Sequence, residues 1–168
     1  AEKYTTHLVD LRNHGRSFHD DDTSHQAMAQ DLIDYMEHYN IEKASFIGHS
    51  MGGKVVMSLA LDFPDKVEKL IVADMAPKTY KPHHNEILKG LNNVDFSQVK
   101  VRSDVEEFLK PHIKSNSIRQ FLMKSVYRKE DETYGFRFNL KALYDTYGSI
   151  IANNLPDKQF FNPTLFLG

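Results

Sequence analysis

Apolar residues in the first half of the chain follow two alternating patterns, one typical of helices and one typical of buried strands. Between Ser24 and Tyr39 they recur every three to four residues, which predicts a helix capped by Thr23 or Ser24 and stopped at Asn40. A second helix is predicted over 51–62. Short apolar runs predict strands at 6–11, 44–48 and 69–73. Strands separated by helices indicate an α/β fold with a parallel sheet.

Beyond Pro77 the pattern changes to helical periodicity alone, as far as Tyr147. Helices are predicted there over 85–91, 103–109, 116–126 and 140–148. The chain then returns to a strand at 163–167. The sequence therefore predicts three segments, which are a core at 1–77, a helical cap at 78–150 and a return to the core at 151–168.

Composition narrows the classes of function. The 168 residues carry 21 Lys+Arg and 23 Asp+Glu, and this near balance argues against binding to nucleic acid or to a membrane surface. The absence of cysteine excludes disulfides, thiolate metal sites and a cysteine nucleophile. No apolar run approaches the roughly 18 residues of a membrane span. The first residues also lack the apolar region of a signal peptide, so we expect a cytoplasmic protein.

The strongest chemical signal is Gly48-His49-Ser50-Met51-Gly52, which fits G-x-S-x-G between a predicted strand and a predicted helix. A sharp reversal there would strain the backbone of Ser50 and lift its hydroxyl above the sheet edge. A Cβ at Gly48 or Gly52 is expected to clash where strand and helix pass closely, and His49 is expected to pack beneath the turn. The backbone N–H of Met51 would supply half of an oxyanion hole. The alternative is a glycine-rich turn in which Ser50 merely caps the helix.

Asp74 is the candidate acid. It follows the strand predicted at 69–73, and the carboxyl ends of parallel strands meet at one edge of a sheet, so it is expected at the same edge as Ser50. A carboxylate there can hold a catalytic histidine in the correct tautomer. The alternatives are a turn residue that caps the next segment and a different acid located after Gly168.

The remaining patterns do not predict a metal or cofactor. The stretch His19-Asp20-Asp21-Asp22 with His25, and the pair His83-His84, carry metal-binding atoms, but a solvated loop is favoured. The glycines at 48–53 lack the spacing of a dinucleotide or phosphate loop. Several aromatic residues would line an acyl pocket or, as we favour, fill the core of the cap: Tyr134, Phe136, Phe138, Tyr144, Tyr147, Phe160 and Phe161.

Four motifs together resemble the α/β-hydrolase superfamily and, within it, the YbfF-like esterases. They are the segment 48–53, the loop Asp10-Leu11-Arg12-Asn13-His14-Gly15-Arg16-Ser17 (similar to D-x-R-x-H-G-x-S), Val72-Ala73-Asp74-Met75-Ala76-Pro77 (similar to V-x-D-x-x-P) and the strand at 163–168. The resemblance implies a partial α/β-hydrolase fold with a helical cap insertion. It also implies a cofactor-free serine hydrolase acting on small carboxylic or thio esters, with Ser50 as nucleophile and Asp74 as acid.

In the family the catalytic histidine follows the last strand, and a loop before the present start supplies the second oxyanion N–H. None of the nine histidines occupies that position, although His83 and His84 would overhang the pocket. The chain is therefore expected to be an internal part of a longer hydrolase. If the polypeptide ended at Gly168, a non-catalytic module that binds a ligand or a protein on a hydrolase scaffold would be the favoured alternative.

Overall fold

The alternation of strands and helices is present in the computed structural model, which describes residues 3–82 and 85–168. His83 and His84, weighed above as an overhang or a metal pair, lie outside the described residues. The elements follow one another in the order α1 (His25–His38), β1 (Ala44–His49), α2 (Met51–Asp62), β2 (Val67–Ala73), α3 (Asn85–Asn92), α4 (Arg102–Leu109), α5 (Asn116–Met123), β3 (Val126–Arg128), β4 (Tyr134–Phe136), α6 (Leu140–Asp145), α7 (Tyr147–Ile151) and β5 (Thr164–Leu167).

Three strands form a parallel sheet in the order β1-β2-β5. The central strand β2 pairs Ile71 with Ile47 of β1 on one side and with Leu165 of β5 on the other. All three strands therefore end at the same edge, and the residues that follow β1 and β2 are neighbours there. This arrangement confirms the predicted α/β class.

Helix α1 shows why the periodic pattern in the first half was a reliable signal. Its N-cap is Ser24, whose hydroxyl accepts a hydrogen bond from the Ala27 N–H at 3.1 Å. Met28, Leu32 and Met36 are buried, as the spacing requires. Asn40 follows the helix with a φ of 55°, a left-handed conformation that ends helices and that asparagine tolerates.

The chain divides into two compact units, of which residues 21–82 and 145–168 form the first. This unit contains the parallel sheet. Helices α1 and α2 pack against each other, and α2 also packs on β1 and β2. Its buried core includes Leu32 of α1, Val55 and Leu59 of α2, and Val72 of β2. Helix α2 is thus held on two sides, which fixes the turn at its N-terminus.

Residues 1–20 and 83–144 form the second unit. Its buried cluster comprises Leu91, Val94, Val99, Val105, Leu109, Ile113, Met123 and Val126. The ring of Phe136 lies edge-on to Phe96 and stacks on Phe138, with centroid distances of 5.0 and 4.8 Å, and these rings pack against the cluster. Of the seven aromatic residues predicted to fill the core of the cap, Tyr134, Phe136 and Phe138 pack against this cluster. The prediction was wrong for Tyr144 and Phe161, which are 45% and 86% exposed, and Tyr147 and Phe160 lie in the sheet-containing unit.

The sequence predicted helices alone between residues 78 and 147, but the structure also contains two strands there. Strands β3 and β4 form an antiparallel hairpin, so the helix predicted over 116–126 ends at Met123. The Asp131 carboxylate accepts hydrogen bonds from the N–H and hydroxyl of Thr133, which closes the turn. Each strand has three residues, too few for a period of two to be visible. The helix predicted over 140–148 is also divided, into α6 and α7.

The apolar run at 6–11 does not form a strand. No strand pairs with it in the part of the chain that the structure describes, and Leu8 is 95% exposed. A strand needs a neighbour for its backbone N–H and C=O groups, so propensity alone did not decide this segment.

Among the described residues, no helix combines the length and apolar character needed to cross a membrane.

Candidate active site

Ser50 lies in the sharp reversal between β1 and α2. Its backbone angles are φ 52° and ψ −122°, a conformation that residues with a Cβ rarely adopt. Such a backbone costs on the order of 1–3 kcal/mol and persists only where its surroundings impose it. The predicted strained turn is therefore present.

Backbone hydrogen bonds hold the reversal in place. The Ser50 N–H donates to the carbonyl oxygen of Ala73 at 3.0 Å, which joins the end of β1 to the end of β2. The Ser50 carbonyl accepts from the Gly53 N–H at 2.8 Å. Ser50 occupies the N-cap position of α2, but its side chain makes no capping hydrogen bond. The hydroxyl is thus not used as a helix cap, contrary to the alternative considered from the sequence.

The two glycines that flank Ser50 have different roles. A Cβ on Gly48 would lie 2.3 Å from the carbonyl oxygen of Gly52 and 2.6 Å from Val56, so this position requires glycine as expected. A Cβ on Gly52 would meet nothing within 4 Å, and the clash predicted there was wrong. The close approach instead involves Gly53, whose Cβ would lie 3.0 Å from Val72 and 3.1 Å from Met75.

This difference gives a matched pair of substitutions. We expect Gly48→Ala to lower the free energy of unfolding by about 3 kcal/mol, because the obstructing atom belongs to the backbone and cannot move aside. Gly52→Ala should change it by at most about 1 kcal/mol, toward higher stability, because alanine is favoured in helices. Equilibrium urea denaturation of both variants measures the two effects. Equal effects of the two substitutions would show that the close packing of β1 on α2 is not what requires Gly48.

Met51 is the first residue of α2. Its N–H is one of the first N–H groups of the helix, for which the helix itself offers no carbonyl partner. The positive end of the helix dipole lies at the same point. An anionic oxygen next to Ser50 would therefore meet a hydrogen-bond donor and a favourable field.

Asp74 directly follows β2 and also has a positive φ, 51°. Its N–H donates to the carbonyl oxygen of Leu167 at 2.7 Å, which fixes its backbone against β5. The carboxylate is 85% exposed at the sheet edge. Because the preceding residue accepts the Ser50 N–H, Asp74 and Ser50 belong to one hydrogen-bonded corner of the sheet.

The sequence predicted that His49 packs beneath the turn, and this prediction was wrong. Its side chain is 73% exposed, and its Nε2 lies 4.0 Å from a carboxylate oxygen of Asp74. Successive residues of a strand point to opposite faces, and Gly48 takes the face covered by α2, so His49 points the other way. A contact this long and this exposed contributes little to stability.

The loop similar to D-x-R-x-H-G-x-S is held by its own polar groups. The Asp10 carboxylate accepts the Arg16 N–H at 3.0 Å, and a Cβ on Gly15 would lie 2.1 Å from that carboxylate. Asn13 is fully buried, and its side chain bonds both the N–H and the C=O of Asp20. The Asn139 N–H donates to the Asn13 carbonyl at 2.9 Å. This motif therefore has a structural role within its own unit.

An open cleft lies next to Asp74. Its volume is about 550 Å³, and it is lined by Asp74, Met75, Ala76, Pro77, Lys78, Tyr80, Phe166, Leu167 and Gly168. This size lies within the range of small-molecule sites, about 300–1,000 Å³.

The burial of two ionisable residues was not predicted from the sequence. Lys54, in the first turns of α2, and His25, at the start of α1, are 0% and 2% exposed. Burial, and secondly the charge of Lys54, lower the pKa of His25 to about 4, so this histidine is neutral at neutral pH. A lysine at an apolar-facing position of a predicted helix was the available signal.

Comparison with known proteins agrees with this geometry. The model of the family described as the alpha/beta hydrolase fold matches residues 1–113. The chain therefore belongs to the α/β-hydrolase family.

Several relatives place it more closely, as the motifs had predicted. Esterase YbfF of Escherichia coli (strain K12) is 38% identical over 161 residues, which are 95% of this chain and 61% of that protein. The sn-1-specific diacylglycerol lipase ABHD11 of Danio rerio is 34% identical over 166 residues, 95% of this chain and 52% of that protein. A solved structure of a marine microorganism esterase has a TM-score of 0.90 and 40% identity, with 95% of this chain and 64% of that chain covered. The chain thus spans between 52% and 64% of the lengths of these relatives.

Proposed function

We propose that this protein is a serine hydrolase that cleaves carboxylic or thio esters through an acyl-enzyme intermediate, with Ser50 as the nucleophile. The observation that carries the proposal is the backbone of Ser50, held at φ 52° in a strand-to-helix reversal while its side chain makes no capping hydrogen bond. Strain of this kind collects at functional sites. The names of the relatives, esterase and lipase, support the same chemistry.

In the proposed reaction the Ser50 oxygen attacks the acyl carbonyl while a histidine takes the hydroxyl proton. The family places this histidine after the last strand of the sheet. Asp74 would orient the imidazole and stabilise its protonated form. The Met51 N–H would donate to the oxyanion that forms as the carbonyl π bond opens. The histidine then protonates the leaving alcohol or thiol, and water releases the acid from Ser50.

The proposed substrate is a small or medium acyl ester. The cleft beside Asp74 has the volume of a small-molecule site, and Met75, Pro77 and Phe166 give it apolar surface. The relatives named above include an esterase and a diacylglycerol lipase. A carboxylic ester bond is common to both names, and it is the bond we propose that this protein cleaves. We further propose that segment 78–150 forms a cap that selects the acyl group.

A fluorophosphonate probe tests the proposal directly, because its phosphorus bonds covalently to an activated serine. Full-length native protein should gain the mass of one adduct, and peptide mapping should locate it on the tryptic peptide that contains Ser50. Heat-denatured protein is the control and should not react, since activation requires the folded site. A folded protein that takes no adduct and turns over no p-nitrophenyl ester would instead be the non-catalytic binding module. Adduct formation on another serine would refute the assignment of Ser50.

A further inference from the structure

Lys54 is a charged residue in the interior of the sheet-containing unit. It lies four residues after Ser50 on α2, and none of its surface is exposed. Its Nζ donates to the carbonyl oxygens of Lys78 and Ala152, each at 2.7 Å. The same ammonium lies 5.6 Å from the ring centroid of Tyr80, within the range of a cation–π interaction. Burying an ammonium is unfavourable unless it makes hydrogen bonds, so the acceptors of Lys54 indicate which part of the structure it stabilises.

The ammonium of Lys54 is stabilised by neutral acceptors rather than by a carboxylate. Both hydrogen-bond acceptors are backbone carbonyls, and burial lowers the pKa of Lys54. His25, whose pKa is lowered by burial and by Lys54, remains uncharged at neutral pH and adds no second cation. The ammonium therefore fastens two stretches of backbone, at Lys78 and at Ala152, to helix α2.

One of these stretches carries the candidate acid. We call residues 74–80 the acid segment, because it begins at Asp74 and includes the carbonyl of Lys78. Within it the Ala76 N–H donates to the Tyr80 hydroxyl at 2.8 Å. The Tyr80 N–H donates to the Ile151 carbonyl at 3.0 Å. The acid segment is thus folded on itself and fastened at its far end, where Lys54 binds it.

We propose that Lys54 is a positioning residue, which holds the acid segment against helix α2, whose N-cap is Ser50. This inference rests on the proposed hydrolase function and deepens it. Asp74 has to keep a fixed spacing from the serine and its histidine, and an error of about 1 Å in such a site can reduce the rate about 10²-fold. Lys54 belongs to the helix that has Ser50 as its N-cap residue and bonds the Lys78 carbonyl, so one side chain joins this helix to the acid segment.

The test compares Lys54→Met with the wild type in the full-length protein. Methionine keeps the length of the side chain and removes its charge and hydrogen bonds. We expect kcat to fall about 10- to 100-fold while KM changes less than about twofold, because orientation is lost rather than binding. Hydrogen exchange should become faster at the amides of the acid segment. Lys43→Met, the same substitution at an exposed lysine, should leave kcat, KM and hydrogen exchange unchanged.

A double-mutant cycle distinguishes positioning from general stabilisation. If Lys54 acts through Asp74, then Lys54→Met should cost less than about twofold in kcat when Asp74→Asn is already present. A loss of the same size in both backgrounds would overturn the inference. If Lys54→Met does not fold, Tyr80→Phe takes its place, since it removes the hydroxyl that bonds Ala76 in the same segment. Tyr80→Phe should lower kcat by a smaller factor than is expected for Lys54→Met, and only when Asp74 is present.

The result also separates this inference from the proposed function. A wild type that turns over esters, with a Lys54→Met variant that matches it in kcat and in exchange, overturns the role of Lys54 alone. A wild type that neither reacts with the probe nor hydrolyses esters overturns the proposed function. In that case, faster exchange in the acid segment of Lys54→Met would show that the link exists without a catalytic purpose.

Discussion

Replacing Ser50 by alanine is expected to lower kcat/KM for a p-nitrophenyl ester by about 10⁶-fold, the size of the loss when a hydrolase triad loses its serine. The fold should survive, because the Ser50 side chain makes no capping hydrogen bond and the turn is held through its backbone N–H and C=O. Initial rates at equal protein concentration, with circular dichroism of each variant, measure both effects. Glycine at the same position should abolish turnover equally and raise the free energy of unfolding by about 1 kcal/mol, since glycine relieves the positive φ.

Ser58 provides the matched control for this substitution. It lies on the same helix α2 and is fully buried, and its hydroxyl has no partner among the described residues. Ser58→Ala therefore removes a buried oxygen without breaking a hydrogen bond, and activity should remain within about twofold of the wild type. If Ser50→Ala kept more than about a hundredth of the wild-type rate, another group would have to be the nucleophile.

The backbone of the sheet edge is strained at Ser50, as the motif predicted, and also at Asp74, where no motif indicated strain. Five residues other than glycine have a positive φ in the described part of the chain: Asn13, Asn40, Ser50, Asp74 and Glu132. Asparagine adopts this conformation readily, and Glu132 lies in the turn of the hairpin. Ser50 and Asp74 remain, and each directly follows one of two paired strands, β1 and β2. The proposed nucleophile and acid are thus the two strained residues at one edge, which is consistent with strain that serves function.

Features that depend on near neighbours in sequence were predictable. The bounds of α1 followed from its apolar spacing and its Ser24 cap, and the reversal at Ser50 followed from the glycine pattern between strand and helix. Gly48 was identified for the same reason. The clash predicted at Gly52 was wrong, since the direction in which a missing Cβ would point depends on where α2 lies over the sheet.

Features that depend on distant partners were not predictable from one sequence. The position of Lys54 on an apolar helix face indicates burial, but its hydrogen-bond acceptors are 24 and 98 residues away along the chain and are known only from the structure. The orientation of His49 depends on which face of β1 is covered by α2, since Gly48 takes that face. The run at 6–11 shows the reverse case, in which local propensity favoured a strand and no neighbouring strand pairs with it in the described structure.

Asp74→Asn is expected to lower kcat by about 10⁴-fold, because an amide in place of the carboxylate leaves the histidine in the wrong tautomer. Asparagine has nearly the same shape and tolerates the φ of 51° at this position, so the strand end and its hydrogen bond to Leu167 should be preserved. Reaction with the fluorophosphonate probe should slow in parallel, since activation of Ser50 depends on the same histidine.

Asp65→Asn, at an exposed aspartate in the short turn between α2 and β2, is the matched control and should leave both rates unchanged. If Asp74→Asn lowered kcat by less than about fivefold, the acid would be a residue after Gly168 instead. Replacing an orienting carboxylate lowers kcat by far more than that. In that case the positive φ of Asp74 and its bond to β5 would serve the turn alone, and the link from Lys54 would hold a structural segment. Measuring Asp74→Asn therefore decides how the whole corner of the sheet is to be understood.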